Sequence, residues 1–575
     1  MGERRVGRRS GLTSYGDEGF STFMRRSFAK GMGYTDEDLR RPVIGICNSW
    51  SELNHCNSSL RTLAEAVKRG VWQAGGWPLE FPTISLGEIF ISPTAMLYRN
   101  LMAMDTEEMI RAQPIDGVVL LANCDKTTPA QLMGAASADL PAIMLTGGPM
   151  LNGRWRGQDL GACTDCRRYW TEYRAGTIGE SELGELEEAL FRSAGHCMVM
   201  GTASTMASIA EAIGMMLPGA AAIPAPDSGR LRVAEETGRR IVAMVNEDLR
   251  PSRILTREAF ENAIRVCVAI GGSTNAVVHL AALARRAGID VPLDLWDDLS
   301  RETPMVASLR PAGKFQMQEL HEAGGIRAVM RELLPLLHGQ AMTVTGKSVA
   351  ENVGAAAESN RRDVVATLDR PFAPEGGIAV LRGNLAPDGA IIKHAAASPH
   401  LLQHRGTAIV FDSVDEMTRR INDPELPVTE KSVLVLRNAG PVGGPGMPEA
   451  GMIPIPAKLL AAGIRDMVRI SDARMSGTAY GTVVLHVAPE AAVGGPLAAV
   501  ADGDEILLDV PARSLSLLVS DAEIARRLAE PRQFANGTSA KRGYGWLYAN
   551  HVLQANDGCD FDFCAADWDG DRRLV

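Results

Sequence analysis

Aromatic residues make up only 5% of the 575-residue chain, histidines number 10, and 59 basic residues are outnumbered by 69 acidic ones, a formal net charge of −10. That balance supplies no cationic excess and argues against nucleic acid or an anionic membrane surface as a partner. No uninterrupted apolar run reaches the roughly 18 residues of a membrane-spanning helix. The longest apolar stretch, around 198–226, is broken by Glu211 and by prolines. The arginines of the opening MGERRVGRRSGLTSYGDEGF lack the apolar segment that follows them in a signal peptide, so this part reads as a solvated arm and the protein as cytoplasmic. Both phosphate signatures are missing: TGKS (345–348) has no glycine five positions before Gly346, and no G-x-G-x-x-G follows a strand pattern. Internal repeats and low-complexity tracts are absent as well. The nine cysteines are odd in number and scattered, which excludes a disulfide framework and leaves reduced thiols or metal ligands.

What the chain has is enough apolar residue, 46%, for a substantial core, helped by 25 methionines. Its length exceeds the roughly 250–300 residues at which one core stops growing, so at least two domains are expected. Short apolar runs alternate with helical patterns in the first part: RPVIGI (41–46), a helix near 59–74, DGVVLLA (116–122), a helix near 129–138, PAIMLTG (141–147). This is the βαβ rhythm of a doubly wound parallel sheet in an α/β domain. Helical patterns dominate from about 181 to 338. Past 370 the texture turns to glycine-separated apolar runs (GIAVLRG, GAIIK, GTAIVF, SVLVLR, GTVVLHV, DEILLDV, RSLSLLV), the pattern of a β-barrel-like domain. ATLDRPFAPEGG (366–377) separates the two textures, giving domains 1–370 and 371–575. The closing CDFDFCAADWDGDRRLV reads as an acidic surface tail.

Three cysteines stand between a strand pattern and a helix. Cys124 follows VVLLAN, with Thr128 as a helix cap and Pro129 at the first helical position. Cys56 precedes a helix that Asn57 or Ser58 can cap, and Cys197 precedes one that Thr202 or Ser204 can cap. The carboxyl ends of strands in open α/β sheets are where ligands bind, and helix N-termini favour thiolates. A cysteine in an apolar protein is more often a small buried hydrophobe. Spacing alone leaves Cys47 and Cys56 as alternatives, and Cys267 lies on a helix face among valines and isoleucines. The pair Cys163 and Cys166 has no matching second C-x-x-C, since Cys559 and Cys564 are spaced differently, which disfavours zinc.

Asp125 and Lys126 set a hard oxygen donor and an amine beside the soft sulfur of Cys124, a mixture suited to iron–sulfur together with a divalent ion. Glu88 in ISLGEIF and Glu449 in GPVGGPGMPEAG occupy glycine-containing loops. The second of these has five glycines and three prolines in twelve residues, which reads either as a loop whose backbone amides approach an anionic ligand or as a plain connection. Ser476 in SDARMSGTAYG precedes a glycine before a strand-like run, without the G-x-S-x-G of a nucleophile elbow. Taken singly, each of these residues has an ordinary structural reading: a loop carboxylate, a helix-start cation, a turn serine.

Together, NHCN, NCDKTTPA, GHCMVMGTASTMAS, IGGSTNA, LRGNLAPDGA, PGMPEAG and SDARMSGTAYGTVVLH resemble the dihydroxy-acid/phosphogluconate dehydratase family over about residues 40–530, and most of all its sugar-acid branch acting on L-arabinonate and D-xylonate. The resemblance implies a hydro-lyase that converts a polyhydroxy acid to the 2-keto-3-deoxy acid. It implies an iron–sulfur cluster on Cys56, Cys124 and Cys197, 2Fe–2S with 4Fe–4S as the alternative, with one iron position open. It further implies Mg²⁺ held by Glu88, Asp125, Glu449 and Lys126, a lysine carbamylated in relatives, and Ser476 as the base. A homodimer or homotetramer is implied too. Within the family the alternative is the dihydroxy-acid dehydratase of branched-chain amino-acid synthesis; outside it, an iron–sulfur or zinc protein with a structural or electron-transfer role. Phosphorylated sugar acids are disfavoured because no added basic clamp is evident. His196 and Met198 flank Cys197 where relatives often carry small or polar residues.

Overall fold

The run VIGICN forms β1 (Val43–Asn48), and each of its residues is buried. β3 (Gly117–Ala122) and β4 (Ala142–Thr146) are buried throughout as well, and with β2 (Trp77–Pro82) they make a parallel sheet in the order β2-β1-β3-β4. Burial without alternation is what helices covering both faces of a parallel sheet produce. The computed structural model describes residues 16–162, 164–174, 176–354, 356–530 and 540–566. The solvated arm expected before residue 16, Cys163 of the C-x-x-C, and the last nine residues of the expected tail lie outside that range.

Strand β2 has no counterpart among the sequence expectations. WPLEFP holds two prolines and buries its residues unevenly, features tolerated only because β2 is an edge strand that can forgo ladder donors. The helices Leu60–Gln73 and Ser228–Glu247 pack on this sheet with nothing between them at Gly70 and Gly238. A Cβ on Gly70 would stand 1.9 Å from the Glu235 carbonyl oxygen, and one on Gly238 2.2 Å from that of Val67. The helices Arg99–Ala112 and Thr127–Ala138 form a second close pair. Sheet and helices share one continuous core. Among the described residues no helix is long and apolar enough to cross a membrane.

A short hairpin, β5 (Gly153–Trp155) and β6 (Gln158–Leu160), follows the sheet. Eight later strands close a mixed barrel: β7 (Ala379–Gly383), β8 (Ala386–Ile392), β9 (Gln403–Phe411), β10 (Val433–Leu436), β11 (Arg469–Ser471), β12 (Val483–Ala488), β13 (Glu505–Asp509) and β14 (Ser514–Leu517). Their order around the barrel is β10-β11-β12-β8-β7-β14-β13-β9, with β9 to β12 running parallel. The barrel has its own core. Seven of the eight match apolar runs read from the sequence; the three-residue β11 is too short to leave a pattern. The 366–377 stretch is pinned to the helical body, with the amides of Phe372, Gly376 and Gly377 donating to the carbonyls of Met305, Ser300 and Val268.

The closing segment corrects the sequence reading. Residues 558–561 are buried instead of forming a surface tail: Arg99 donates to the carbonyls of Gly558 (2.8 Å) and Cys559 (2.9 Å), and Phe561 is fully enclosed. Asp560 receives two hydrogen bonds from the fully buried Arg286, at 2.7 and 3.0 Å. Asp560 thus sits on a buried arginine, while Asp562 meets His551 Nδ1 at 3.0 Å. Asp560→Ala would leave the buried Arg286 guanidinium with Glu107, at 3.5 Å, as its remaining carboxylate. It is expected to cost about 3–5 kcal/mol, read as a lowered urea midpoint.

Candidate active site

The carboxyl ends of the parallel strands of both sheets meet at one cavity of about 410 Å³. Cys56 sits in a 3₁₀ turn (His55–Asn57) after β1, Glu88 in the loop after β2, and Cys124 two residues beyond the end of β3. Glu449 and Ser476 lie in the loops after β10 and β11. Cys197 precedes the helix Thr202–Ala212. Cys56, Cys124, Cys197, Glu88, Asp125, Glu449 and Ser476 all line the cavity. This is the crevice beyond strand ends where α/β proteins bind ligands, supplied here from a sheet and a barrel at once.

The segment following β4 knits the three cysteine turns together. Asn123 donates to the carbonyls of Cys56 (2.8 Å) and Gly148 (2.9 Å) and accepts from the Gly148 amide (2.8 Å). The amide of His196 donates to the Gly148 carbonyl, and the amide of Met150 to that of His196. Cys124 is held by its own turn, its amide donating to Thr127 Oγ1 at 3.0 Å. Cys47 is excluded from this group: it is fully buried within β1, and burial pushes its thiol up to about 12. Cys267 is a core residue, as its helix face suggests. His196 and Met198 are also enclosed, and burial drives His196 down to about 4. They pack behind Cys197 and leave only the cysteine on the cavity wall.

The expected caps are not used as caps. The residues at the N-cap positions are Ser59, Lys126 and Gly201, and none of the three makes a side-chain cap bond. Thr202 Oγ1 instead contacts Ser273 Oγ at 2.9 Å, and Ser204 Oγ donates to the Val199 and Cys197 carbonyls. The hydroxyls fasten loops, and the positive helix ends stay uncapped by side chains behind the cysteine turns. The Cys56 thiol is drawn down, first by the thiol of Cys124 and then by His55, while Cys124 is pushed up by the same pairing and by burial. One thiolate beside one thiol is a soft donor pair ready for metal.

Beside the sulfurs, with Asp125 Oδ1 3.4 Å from Cys124 Sγ, one carboxylate oxygen from each of Glu88, Asp125 and Glu449 lies within 4.8 Å of the others. Glu88 is fixed by the Thr94 hydroxyl (2.6 Å) and the Ala95 amide (3.2 Å). The fully buried Lys126 ammonium donates to Asp125. Arg474, which the sequence reading passed over, is the second cation: it donates to Glu449 at 2.6 Å, Glu88 at 3.4 Å and Thr94 at 2.7 Å. Burial raises the Glu449 carboxyl, with Arg474 opposing it. For Asp125 the same burial is outweighed by Lys126 and Arg474, and its carboxyl is held below the usual range. Three half-buried carboxylates this close need cationic company. Arg474 and Lys126 provide part of it, and the oxygen-only donor set fits Mg²⁺. The three cysteines fit an iron–sulfur cluster with one position left open.

Ser476 Oγ is 2.8 Å from Thr478 Oγ1. Its loop is anchored by motifs that are silent in isolation. Asn275, of IGGSTNA, donates to the Met475 carbonyl (3.0 Å) and to Thr202 Oγ1 (2.9 Å). A Cβ on Gly477 would lie 2.6 Å from both Ser273 Oγ and the Thr202 amide nitrogen, so only glycine lets the loop seat against that helix entrance.

The anion awaited at the amides of GPVGGPGMPEAG turns out to be the protein's own. Glu490 receives the amides of Val442 and Gly443 within this stretch, and Asp472 those of Asn438 and Ala439 just before it; both acids are buried. They thereby fill the role assigned to a ligand.

Residues 41–352 match the family model "Dihydroxy-acid/6-phosphogluconate dehydratase N-terminal", and residues 363–559 match its C-terminal counterpart. The chain is 53% identical over 552 residues to an L-arabinonate dehydratase of Rhizobium leguminosarum bv. trifolii, covering 96% of this chain and 95% of that protein. It is 53% identical over 536 residues to a 6-deoxy-6-sulfo-D-gluconate dehydratase of Pseudomonas putida, covering 92% of each. A dihydroxy-acid dehydratase of Caldicellulosiruptor saccharolyticus is 42% identical over 551 residues, 94% of this chain and 98% of that protein.

Proposed function

The chain belongs to the dihydroxy-acid/6-phosphogluconate dehydratase family and is a hydro-lyase, and on that premise we propose that it removes water from an uncharged-tail sugar acid such as L-arabinonate, D-xylonate or D-gluconate to give the 2-keto-3-deoxy acid. The observation that carries this reading is one cavity lined by three cysteines, three carboxylates and Ser476. The greater identity to sugar-acid enzymes, 53% against 42% for the dihydroxy-acid dehydratase, supports the branch.

In this reading Cys56, Cys124 and Cys197 would hold an iron–sulfur cluster, and Glu88, Asp125 and Glu449, together with Lys126 once its amine is carbamylated to an anionic oxygen donor, would hold Mg²⁺. When bound, these groups supply a Lewis acid for the departing C3 hydroxide and charge stabilisation for the enolate-like carboxylate end. The chain's own part is positional. Ser476 Oγ takes the C2 proton, a task for its alkoxide, whose charge the Thr478 hydroxyl and the nearby helix entrance at Thr202 favour. Arg474 keeps Glu449 and Glu88 ionised and fixed, and the Lys126 ammonium does the same for Asp125 until it is carbamylated. The enol product tautomerises to the keto acid.

Among the described residues that line the cavity there is no lysine or arginine, so a phosphate or sulfonate on the substrate's far end would find no bidentate clamp and only His55 as a titratable cation. A second reading, a branched-chain dihydroxy acid as substrate, draws on the apolar side chains Leu53, Ile89, Phe90, Met150 and Phe191 at the same cavity. Iron and acid-labile sulfide in anaerobically purified protein test the cofactor part. Both are expected in amounts that scale with activity, and a colourless, iron-free, fully active enzyme would overturn it.

A further inference from the structure

The loop that carries Glu449 has no regular structure to stiffen it, yet Glu449 must meet Glu88 and Asp125 within 4.8 Å. Two carboxylates outside the cavity lining do the holding. Asp472 Oδ1 accepts the amide of Ala439 (3.0 Å), and Oδ2 accepts those of Asn438 (3.1 Å) and Ala491 (3.1 Å). Glu490 accepts the amides of Val442 and Gly443, each at 2.8 Å, and the side-chain amide of Gln554 at 2.9 Å. Both acids are buried, at 0% and 1% exposure, and four of the five backbone amides they hold belong to the loop. Gly440 is required by this contact, because a Cβ there would lie 2.5 Å from Glu490 Oε2.

The two acids also join the loop to the rest of the site. Asp472 is two residues from Arg474, which pairs with Glu449, and the Gly451 amide donates to the Arg474 carbonyl at 2.9 Å. Glu490 is tied to the buried closing segment through Gln554, whose Oε1 accepts the Glu490 amide at 2.9 Å. A carboxylate accepting several amides fixes a backbone more tightly than neutral hydrogen bonds do.

We propose that Asp472 and Glu490 are positioning residues that set Glu449 for divalent-ion binding by clamping the amides of its glycine-rich loop. The inference rests on the metal-site reading given under Proposed function. The test is Mn²⁺ binding to the full-length protein, followed by electron paramagnetic resonance, in Asp472→Asn and Glu490→Gln. Each substitution keeps side-chain shape and turns one acceptor into a donor that faces an amide.

The expected result is an Mn²⁺ dissociation constant raised at least tenfold, with the Mg²⁺ concentration for half-maximal activity rising alongside it, while iron content and visible spectrum stay as in the wild type. A merely structural role would lower the melting temperature without that selective split. Should Asp472→Asn fail to fold, Gly440→Ala carries the test, since it crowds Glu490 without changing any charge. Folded variants that bind Mn²⁺ as the wild type does overturn the inference and leave the metal site standing. A wild-type protein that binds no Mn²⁺, with Glu449→Gln as the control, overturns the metal site and this inference with it.

Discussion

Ser476→Ala is expected to lower kcat on a sugar acid by about 10²–10⁴-fold, the range a positioned general base contributes, while iron content and the visible spectrum hold. Ser476 lines the cavity but is not among the thiols or the carboxylate trio, so its loss leaves both donor sets in place. The loop around it does not depend on its hydroxyl. Asn275 holds the Met475 carbonyl, Thr164 Oγ1 donates to the Thr478 carbonyl at 3.1 Å, and Gly477 is seated against Thr202 and Ser273. The alanine variant therefore separates chemistry from architecture. Retained turnover would remove the serine from the reaction.

The second large effect is expected at Glu449. Glu449→Gln removes one of three carboxylates and the closest anionic partner of Arg474, which is 1% exposed. Mg²⁺ affinity should fall by no less than the roughly 10–100-fold that loss of a supporting partner costs metal sites. Part of the lost activity should return at high Mg²⁺. The visible spectrum should stay unchanged, because the cysteines are held separately through Asn123 and Gly148. Activity at wild-type Mg²⁺ demand would remove Glu449 from the ion's coordination.

These expectations draw on residues that differ greatly in how visible they are in the chain. Cys124 and Cys56 could be placed at strand ends because buried parallel strands leave continuous apolar runs, and a helix pattern follows each. The barrel strands were legible for the same reason. Spacing could not separate Cys56 from Cys47, which lie nine positions apart; burial does, since Cys47 points into the core and Cys56 lines the cavity.

Arg474 was passed over although it sits inside a quoted motif. Its partners Glu88 and Thr94 are more than 370 positions away, and no periodicity records such a pairing. The glycine-rich loop was read as amides for an anionic ligand or as a plain connection, and its amides in fact meet an anion of the protein itself. That the anion is Asp472 and Glu490 follows only from the barrel's closure, which brings the ends of β11 and β12 beside the loop after β10. The closing segment misled for a related reason: Asp560 looks solvent-bound until Arg286 is seen beneath it, and the backbone before it is held by Arg99 through the Gly558 and Cys559 carbonyls.

The measurement that bears most directly on the central claim is keto-acid formation by anaerobically purified, Mg²⁺-supplied enzyme offered L-arabinonate, D-xylonate, D-gluconate, D-galactonate and 2,3-dihydroxyisovalerate side by side. The account predicts a 2-keto-3-deoxy product and a clear preference for one or more of the four polyol acids. Preference for 2,3-dihydroxyisovalerate, or no turnover of any polyol acid by iron-replete enzyme, would contradict it.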